Sequence, residues 1–206
     1  DGTTAECYDI AGDFAQKSLP ERSFAAPDWY REWCFLRHPR MEQYGLTQGS
    51  ALLHGTEVTL DEPGSPTFIG LRQQDFSGTV QCVLELDKGE AGLTCYMSEQ
   101  EHYEVALRRG ETGITALCRL NIGGVHQIQK EIPLTGNSAR LVIRMEPACY
   151  HFSVVTESGE THLGTGQSKY LSSEISSPFT GVILGLYAVG DNTVRFTNFS
   201  CVYTET

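Results

Sequence analysis

Three carboxylates lie close together in the segment ELDKGE and are the first candidates for catalysis: Glu85, Asp87 and Glu90. Two carboxylates that flank a glycosidic bond can hydrolyse it, one as acid and the other as nucleophile or base. That chemistry requires both groups on one continuous, concave strand face. Lys88 and Gly89 interrupt the strand here, and glycine in this context is typical of a turn. The segment therefore predicts a hairpin tip in water, and we assign no catalytic residue to this chain.

A second group of residues suits the binding of a sugar, and it lies in the segment SPTFIGLRQQDFSG (residues 65–78). Sugars pack their C–H faces on aromatic rings, and planar amide or guanidinium groups bind their hydroxyls. Strand alternation would place Arg72, Gln74 and Phe76 on one face and Gln73 on the other. The segment therefore predicts a sugar-facing or interface strand.

Two tyrosines are further candidates for this surface. Tyr96 in TCYMS and Tyr187 in GLYAV each oppose the apolar side of a predicted strand. A tyrosine in such a position lies more often at the edge of a core than on a ligand-binding face. Only the combination with the Arg-Gln-Gln segment favours carbohydrate binding.

Other chemistry has little local support. The six histidines, which include His54, His102 and His151, form no pair with metal-ligand spacing, and none neighbours a candidate nucleophile. The seven cysteines form no CxxC motif, and several would point inward from strands as small buried thiols. The odd number favours reduced thiols in a cytoplasmic protein, with a secreted, disulfide-containing protein as the alternative.

The charge of the chain restricts its partners. The formal net charge is −11, and the lysines and arginines are scattered. Such a surface repels phosphate backbones and anionic lipids, so we expect no nucleic-acid partner and no membrane partner. No apolar run approaches the length of a membrane span.

Regular alternation of apolar and polar residues dominates from residue 50 onward and predicts about eleven strands. Glycine-rich turns separate these strands, and a short helical turn is expected near KYLSSEI. Residues 15–31 contain two prolines and predict an irregular loop. The pattern favours one all-β domain over residues 1–206, a jelly-roll sandwich of two antiparallel sheets.

Five ordered motifs resemble a known family. EWCFLRHP, YGLTQGSALLHG, SPTFIGLRQQDF, EHYEVALRR and FTGVILGL are similar to motifs in the C-terminal β-sandwich domain of glycoside hydrolase family 43 β-xylosidases. The similarity runs from about residue 13 to residue 203. It implies a concanavalin A-like sandwich that accompanies a five-bladed catalytic propeller, and some related domains are classed as xylan-binding modules.

The resemblance also implies roles for individual residues. Phe68 would cap a sugar pocket, while Arg72, Gln73 and Gln74 match the Arg-Gln-Gln of the family. No cofactor is required, although related sandwiches carry a structural Ca²⁺, to which Asp13 would contribute. The motif EWCFLRHP would face the catalytic domain through Phe35, Arg37 and His38.

Three functions remain open on this evidence. The first is a non-catalytic module that binds xylan or xylo-oligosaccharide, or completes the active site of a family 43 propeller. The second is a jelly-roll glycosidase that uses Glu85 and Glu90. The third is a purely structural accessory domain, which predicts an apolar patch near Phe35 and Phe68 and no sugar binding.

Overall fold

The structure is a computed structural model that describes residues 21–24, 32–47, 49–176 and 179–204. Fourteen strands occupy most of these ranges. They are β1 (Trp33–Phe35), β2 (Tyr44–Thr47), β3 (Ser50–His54), β4 (Thr67–Arg72), β5 (Gly78–Glu85), β6 (Glu90–Tyr96), β7 (Glu101–Gly110), β8 (Gly113–Ile122), β9 (Val125–Leu134), β10 (Ser138–Met145), β11 (Cys149–Thr156), β12 (Gly159–Gln167), β13 (Ile183–Val189) and β14 (Thr193–Tyr203).

The strands form two antiparallel sheets of seven strands each. Sheet I has the order β12-β11-β10-β5-β14-β3-β2, and sheet II has the order β1-β4-β13-β6-β7-β8-β9. The predicted concanavalin A-like jelly-roll sandwich is confirmed. Because β5 belongs to sheet I and β6 to sheet II, the connection at residues 86–89 crosses between the sheets. The prediction of a hairpin at this position was wrong.

The main core lies between the sheets and is built by strand alternation. In β5, Val80, Cys82 and Leu84 point inward and are buried. In sheet II the same core receives Ile69 and Cys95, while their neighbours in sequence point to the outer face of that sheet. Four cysteines are buried here, as the alternation predicted: Cys82, Cys95, Cys118 and Cys201.

Three short helical segments accompany the strands in the described ranges. A 3-10 turn (Met41–Gln43) precedes β2, a second (Ser168–Leu171) follows β12, and a one-turn helix, α1 (Ser173–Ser176), comes next. The last two confirm the helical turn expected near KYLSSEI. In the part of the chain that the structure describes, no helix has the length and apolar character needed to cross a membrane.

Part of the N-terminal segment that the sequence predicted as a loop is packed against the sandwich. Arg22 pairs with Cys201 through an isolated β-bridge. The buried ring of Phe24 stacks on Phe199 and Trp33, with ring centroids 5.1 and 6.1 Å apart. Residues 15–20 and 25–31 fall outside the described residues.

Candidate functional site

A cleft of about 500 Å³ opens between the two sheets at one end of the sandwich, and we call it the edge cleft. Residues that follow β4 form one wall, and the second 3-10 turn with α1 forms the opposite wall. Its lining residues are Gln73, Gln74, Asp75, Phe76, Met97, Pro147, Tyr150, Ser168, Lys169, Leu171, Ser172, Ser173, Glu174, Phe179, Gly181 and Val182.

Two phenylalanines of the edge cleft are exposed to solvent. Phe76 is 71% exposed and Phe179 is 93% exposed. Neither residue was among the predicted sugar-binding residues. Phe179 begins the motif FTGVILGL and lies in a loop just after a proline. Its position outside a strand was the sequence signal that could have identified it as an exposed residue. Exposed rings beside planar polar groups form the arrangement that binds the C–H faces of sugars.

Gln73 positions one wall of the edge cleft. The buried Tyr150 hydroxyl donates a hydrogen bond of 2.8 Å to Gln73 Oε1, and Gln73 Nε2 donates one of 2.8 Å to the Asp75 carbonyl. Burial raises the pKa of Tyr150 well above its usual range. The Gln73 side chain is therefore committed to contacts within the protein.

Arg72 and Gln74 are both exposed, whereas Gln73 is half-buried. β4 ends at Arg72, so the predicted alternation through Phe76 does not continue as a strand. The Gln74 backbone N–H donates to the Tyr203 hydroxyl at 3.0 Å. Within the described ranges, neither the Arg72 guanidinium nor the Gln74 side chain has a hydrogen-bond partner. Both line a neighbouring cavity of about 290 Å³, and Gln74 also lines the edge cleft.

The three predicted aromatic contacts lie elsewhere, on the outer face of sheet II. Phe68 is 0% exposed, Tyr187 is 1% exposed and Tyr96 is 5% exposed. The expectation that Phe68 is an exposed, pocket-capping ring was wrong, because its ring is fully enclosed. These residues belong to a group that we call the buried aromatic cluster: Leu60, Phe68, Tyr96, Ala106, Leu117, Ile183 and Tyr187.

The segment between β3 and β4, residues 55–66, covers this cluster. Its Leu60 is 2% exposed and packs in the cluster. Beneath the cluster, Gly185 leaves room for Phe68, since a Cβ added at Gly185 would lie 2.1 Å from the Phe68 ring. Burial of large aromatic side chains is a major source of stability, so these residues serve the fold.

Two of the three residues predicted to face a catalytic domain, Arg37 and His38, contact the covering segment. Arg37 Nη1 donates to the Gly64 carbonyl at 2.6 Å, and the Arg37 guanidinium pairs with Glu99. The backbone N–H of His38 donates to Ser65 Oγ at 3.3 Å. Phe35 is half-buried and packs on Tyr44 with an edge-to-face geometry. The side chain of Arg37 is thus already engaged within the domain.

An ion-pair network lies beside the buried aromatic cluster. Arg119 Nη2 donates to Glu90 Oε1 at 2.6 Å, and Arg119 Nε donates to Glu104 Oε2 at 2.5 Å. The Tyr187 hydroxyl donates to Glu90 Oε1 at 2.9 Å. Burial raises the pKa of Glu104, and the Arg119 guanidinium opposes that effect. Glu90 is therefore a partly buried structural carboxylate, and its predicted position in water was wrong.

The carboxylates of the hydrolase alternative do not form a common site. Glu85 ends β5 in sheet I and is exposed, with its Oε1 3.2 Å from Asn137 Nδ2. Glu90 begins β6 in sheet II and is bound by Arg119. Asp87 is exposed at the crossing and accepts from the same Asn137 amide at 3.1 Å. This geometry gives no support to hydrolysis by Glu85 and Glu90.

The predicted calcium ligand cannot be placed. Asp13 lies outside the described residues, so its contribution to a Ca²⁺ site stays a prediction. In the described part of the chain, the residues grouped closely enough to hold a metal ion are Glu146, Cys149 and His151. Calcium prefers ligand sets made only of oxygen atoms, which this group does not provide.

Comparison with known proteins gives a family match over most of the chain. The family model described as the β-xylosidase C-terminal concanavalin A-like domain matches residues 21–201. The non-reducing end α-L-arabinofuranosidase BoGH43B of Bacteroides ovatus is 31% identical over 168 residues. The match covers 78% of this chain and 32% of that enzyme, so this chain spans about a third of its curated relative.

Solved structures also match most of this chain and less than half of their own length. The Bacteroides ovatus protein described as xyloglucan PUL GH43B aligns with a TM-score of 0.78 and 26% identity, over 90% of this chain and 39% of its own. The xylan β-1,4-xylosidase from Bacillus halodurans C-125 aligns with a TM-score of 0.82 and 22% identity, over 96% of this chain and 41% of its own. The second likeness shows the fold alone.

Proposed function

This chain belongs to the family of C-terminal concanavalin A-like domains of glycoside hydrolase family 43 β-xylosidases, and we propose that it is a non-catalytic partner of such a catalytic domain. The relatives are two to three times longer than the region that they share with this chain. In this proposal the catalytic carboxylates reside in the propeller. Glu85 and Glu90 of the sandwich take no part in hydrolysis.

We further propose that the edge cleft contacts a xylan or xylo-oligosaccharide chain. The observation that carries this proposal is the exposure of Phe76 and Phe179 beside a cavity lined by amide groups. Arg72 and Gln74 supply hydrogen-bond donors that the described protein groups leave unused. A shallow site with two aromatic rings would bind with a Kd between about micromolar and millimolar, given the entropy that association costs.

Isothermal titration of the chain with xylohexaose tests this proposal, with cellohexaose as the comparison sugar. We expect saturable heat with xylohexaose, and Phe179→Ala should weaken the affinity about tenfold or more because it removes an aromatic contact. The matched control is Val125→Ala, since Val125 on β9 is an apolar residue that is 71% exposed but does not line the edge cleft.

A structural role without sugar binding is the second candidate function. The same two exposed phenylalanines favour it, because a docked catalytic domain would remove their apolar surface from water. This candidate predicts no heat with either sugar. It also predicts that a separately produced family 43 catalytic domain associates with the wild-type chain in sedimentation velocity, and less with Phe179→Ala.

A further inference from the structure

Three side chains with metal-binding atoms converge at the turn between β10 and β11. They are Glu146 in the turn, Cys149 at the start of β11 and His151 two residues later. Because side chains alternate along a strand, Cys149 and His151 project from the same face of β11. The turn is closed by two backbone hydrogen bonds between Glu146 and Cys149, of 2.9 and 3.2 Å.

The distances between these donor atoms suit a tetrahedral metal ion. Cys149 Sγ lies 3.2 Å from His151 Nε2 and 3.9 Å from Glu146 Oε2, and His151 Nε2 lies 3.6 Å from Glu146 Oε2. Zinc bonds of about 2.0–2.3 Å at tetrahedral angles separate such atoms by about 3.3–3.6 Å. Small side-chain rotations that move the donor atoms by a few tenths of an ångström would therefore bring all three atoms to one ion.

A second contact orients the imidazole for metal binding. His151 Nδ1 lies 3.1 Å from the Thr165 hydroxyl, which in turn lies 3.2 Å from His162 Nε2. If His151 Nδ1–H donates to Thr165 Oγ1, the lone pair of Nε2 points toward Cys149 and Glu146. Histidines that bind metals commonly have their other ring nitrogen fixed in this way.

The neighbouring cation is already neutralised. Arg144 pairs with His151 in the register between β10 and β11. Its guanidinium forms two hydrogen bonds with the Glu160 carboxylate, and this pairing holds the pKa of Glu160 at about 2. A divalent ion at the turn therefore meets the Glu146 carboxylate and the Cys149 thiol without competition from the Arg144 guanidinium.

We propose that Glu146, Cys149 and His151 form a zinc-binding site, with a fourth coordination position open to water. Thiolate and imidazole ligands favour Zn²⁺ over Ca²⁺ or Mg²⁺. These ligands form no familiar sequence motif, because they combine three residue types at spacings of three and two residues. A search for histidine pairs or CxxC motifs does not find that pattern.

The site is connected to the edge cleft. The Ser168 hydroxyl donates to the Pro147 carbonyl at 2.8 Å, and the Ser168 N–H donates to the Ala148 carbonyl at 3.0 Å. Ser168 begins the 3-10 turn that lines the cleft. A zinc ion would therefore fix the turn that anchors one cleft wall.

Titration of the chelator-treated chain with Zn²⁺ tests the proposal. We expect one saturable site per chain, and Cys149→Ser and His151→Gln should each weaken the affinity at least tenfold. Thr165→Val removes the hydroxyl next to His151 Nδ1 but none of the three ligands, and it should weaken the Zn²⁺ affinity about tenfold. The matched control is Cys34→Ser, because Cys34 is the other half-buried cysteine of the described residues and lies in β1 of sheet II.

Cobalt(II) provides an independent readout, since a Co²⁺–thiolate bond gives a near-ultraviolet charge-transfer band. We expect that band in the wild type and in Cys34→Ser, and its loss in Cys149→Ser. Circular dichroism checks that each variant is folded. The proposal is overturned if the wild type shows no saturable Zn²⁺ binding, or if Cys149→Ser binds Zn²⁺ as tightly as the wild type.

Discussion

The edge cleft and the buried aromatic cluster contain the same kinds of side chains in opposite environments. Phe76 and Phe179 of the cleft are exposed, whereas Phe68 and Tyr187 of the cluster are at most 1% exposed. This difference in exposure arises because the segment at residues 55–66 packs Leu60 against the cluster. An aromatic residue beside planar polar groups therefore indicates a binding surface only where no other segment covers it.

The polar groups of the two regions differ in the same way. In the buried region, Arg119 is paired with Glu90 and Glu104. The Gln74 side chain at the cleft and the Arg72 guanidinium in the adjoining cavity have no hydrogen bonds to the described parts of the chain. Removal of one partner from a buried ion pair is costly, whereas an exposed group can exchange water for a ligand at little cost. The buried region thus supports the fold, and the cleft retains free binding groups.

Alanine variants of Phe68 and Phe179 should differ strongly in their free energy of unfolding, because the two rings lie in different environments. Phe68→Ala should lower the free energy of unfolding by about 3–5 kcal/mol, because it leaves a cavity in a close-packed cluster. Phe179→Ala should change it by less than about 0.5 kcal/mol, since that ring is exposed. Urea unfolding followed by far-ultraviolet circular dichroism measures both values. Equal losses in the two variants would contradict the contrast between cluster and cleft.

A smaller effect should distinguish the adjacent glutamines of the cleft. Gln73→Ala removes the acceptor of the buried Tyr150 hydroxyl, so we expect a loss of about 1–3 kcal/mol in unfolding free energy. Gln74→Ala is the matched control for stability and should stay within about 0.5 kcal/mol. If the titration with xylohexaose shows binding, Gln74→Ala should weaken it. A stable Gln73→Ala variant would show that its hydrogen bond does not fix the cleft wall.

The smallest expected effect is a pH dependence of the buried region. His102 Nε2 lies 3.2 Å from Asp61 Oδ1. Burial lowers the pKa of His102, but the Asp61 hydrogen bond and the Glu104 charge outweigh burial and raise it overall. Stability from the protonated imidazole is therefore fully present below its unfolded pKa of about 6.5 and is lost as pH rises through the raised value.

The comparison of the wild type with His102→Gln isolates this contribution. The difference between their free energies of unfolding should shrink as the pH rises from about 6 to about 9. Urea titrations at each pH provide the measurement. A difference that stays constant over this range would mean that folding does not raise the pKa of His102.

Much of the fold could be predicted from the sequence because alternation and turn residues determine strands locally. Alternation fails in the segment ALLHGTEVTL, where it indicates one strand over residues 51–60. The structure ends β3 at His54, and Gly55 then passes close to another segment. A Cβ at Gly55 would lie 2.5 Å from the Gly190 carbonyl oxygen. Such a contact between distant segments leaves no periodic signal in the sequence.

The binding residues were only partly predictable for the same reason. Alternation indicated which residues share a face, and it placed Tyr96 opposite Cys95 and Met97, as observed. It could not indicate whether that face is covered, since the covering Leu60 belongs to another segment. Phe179 lies outside any strand, so no alternation pattern applied to it. Residue type and period therefore predicted the strands but not the exposure of their outer faces.

An amide chemical-shift map of the ¹⁵N-labelled chain, recorded with increasing xylohexaose, tests directly whether the edge cleft contacts the sugar. We expect saturable shifts at the backbone amides of Gln74, Phe76 and Gly181, which line the edge cleft. We expect little change at Phe68 and Tyr187 in the buried aromatic cluster. Shifts centred on the cluster, or no shifts anywhere in the chain, would contradict the claim that the edge cleft is the sugar-contacting surface.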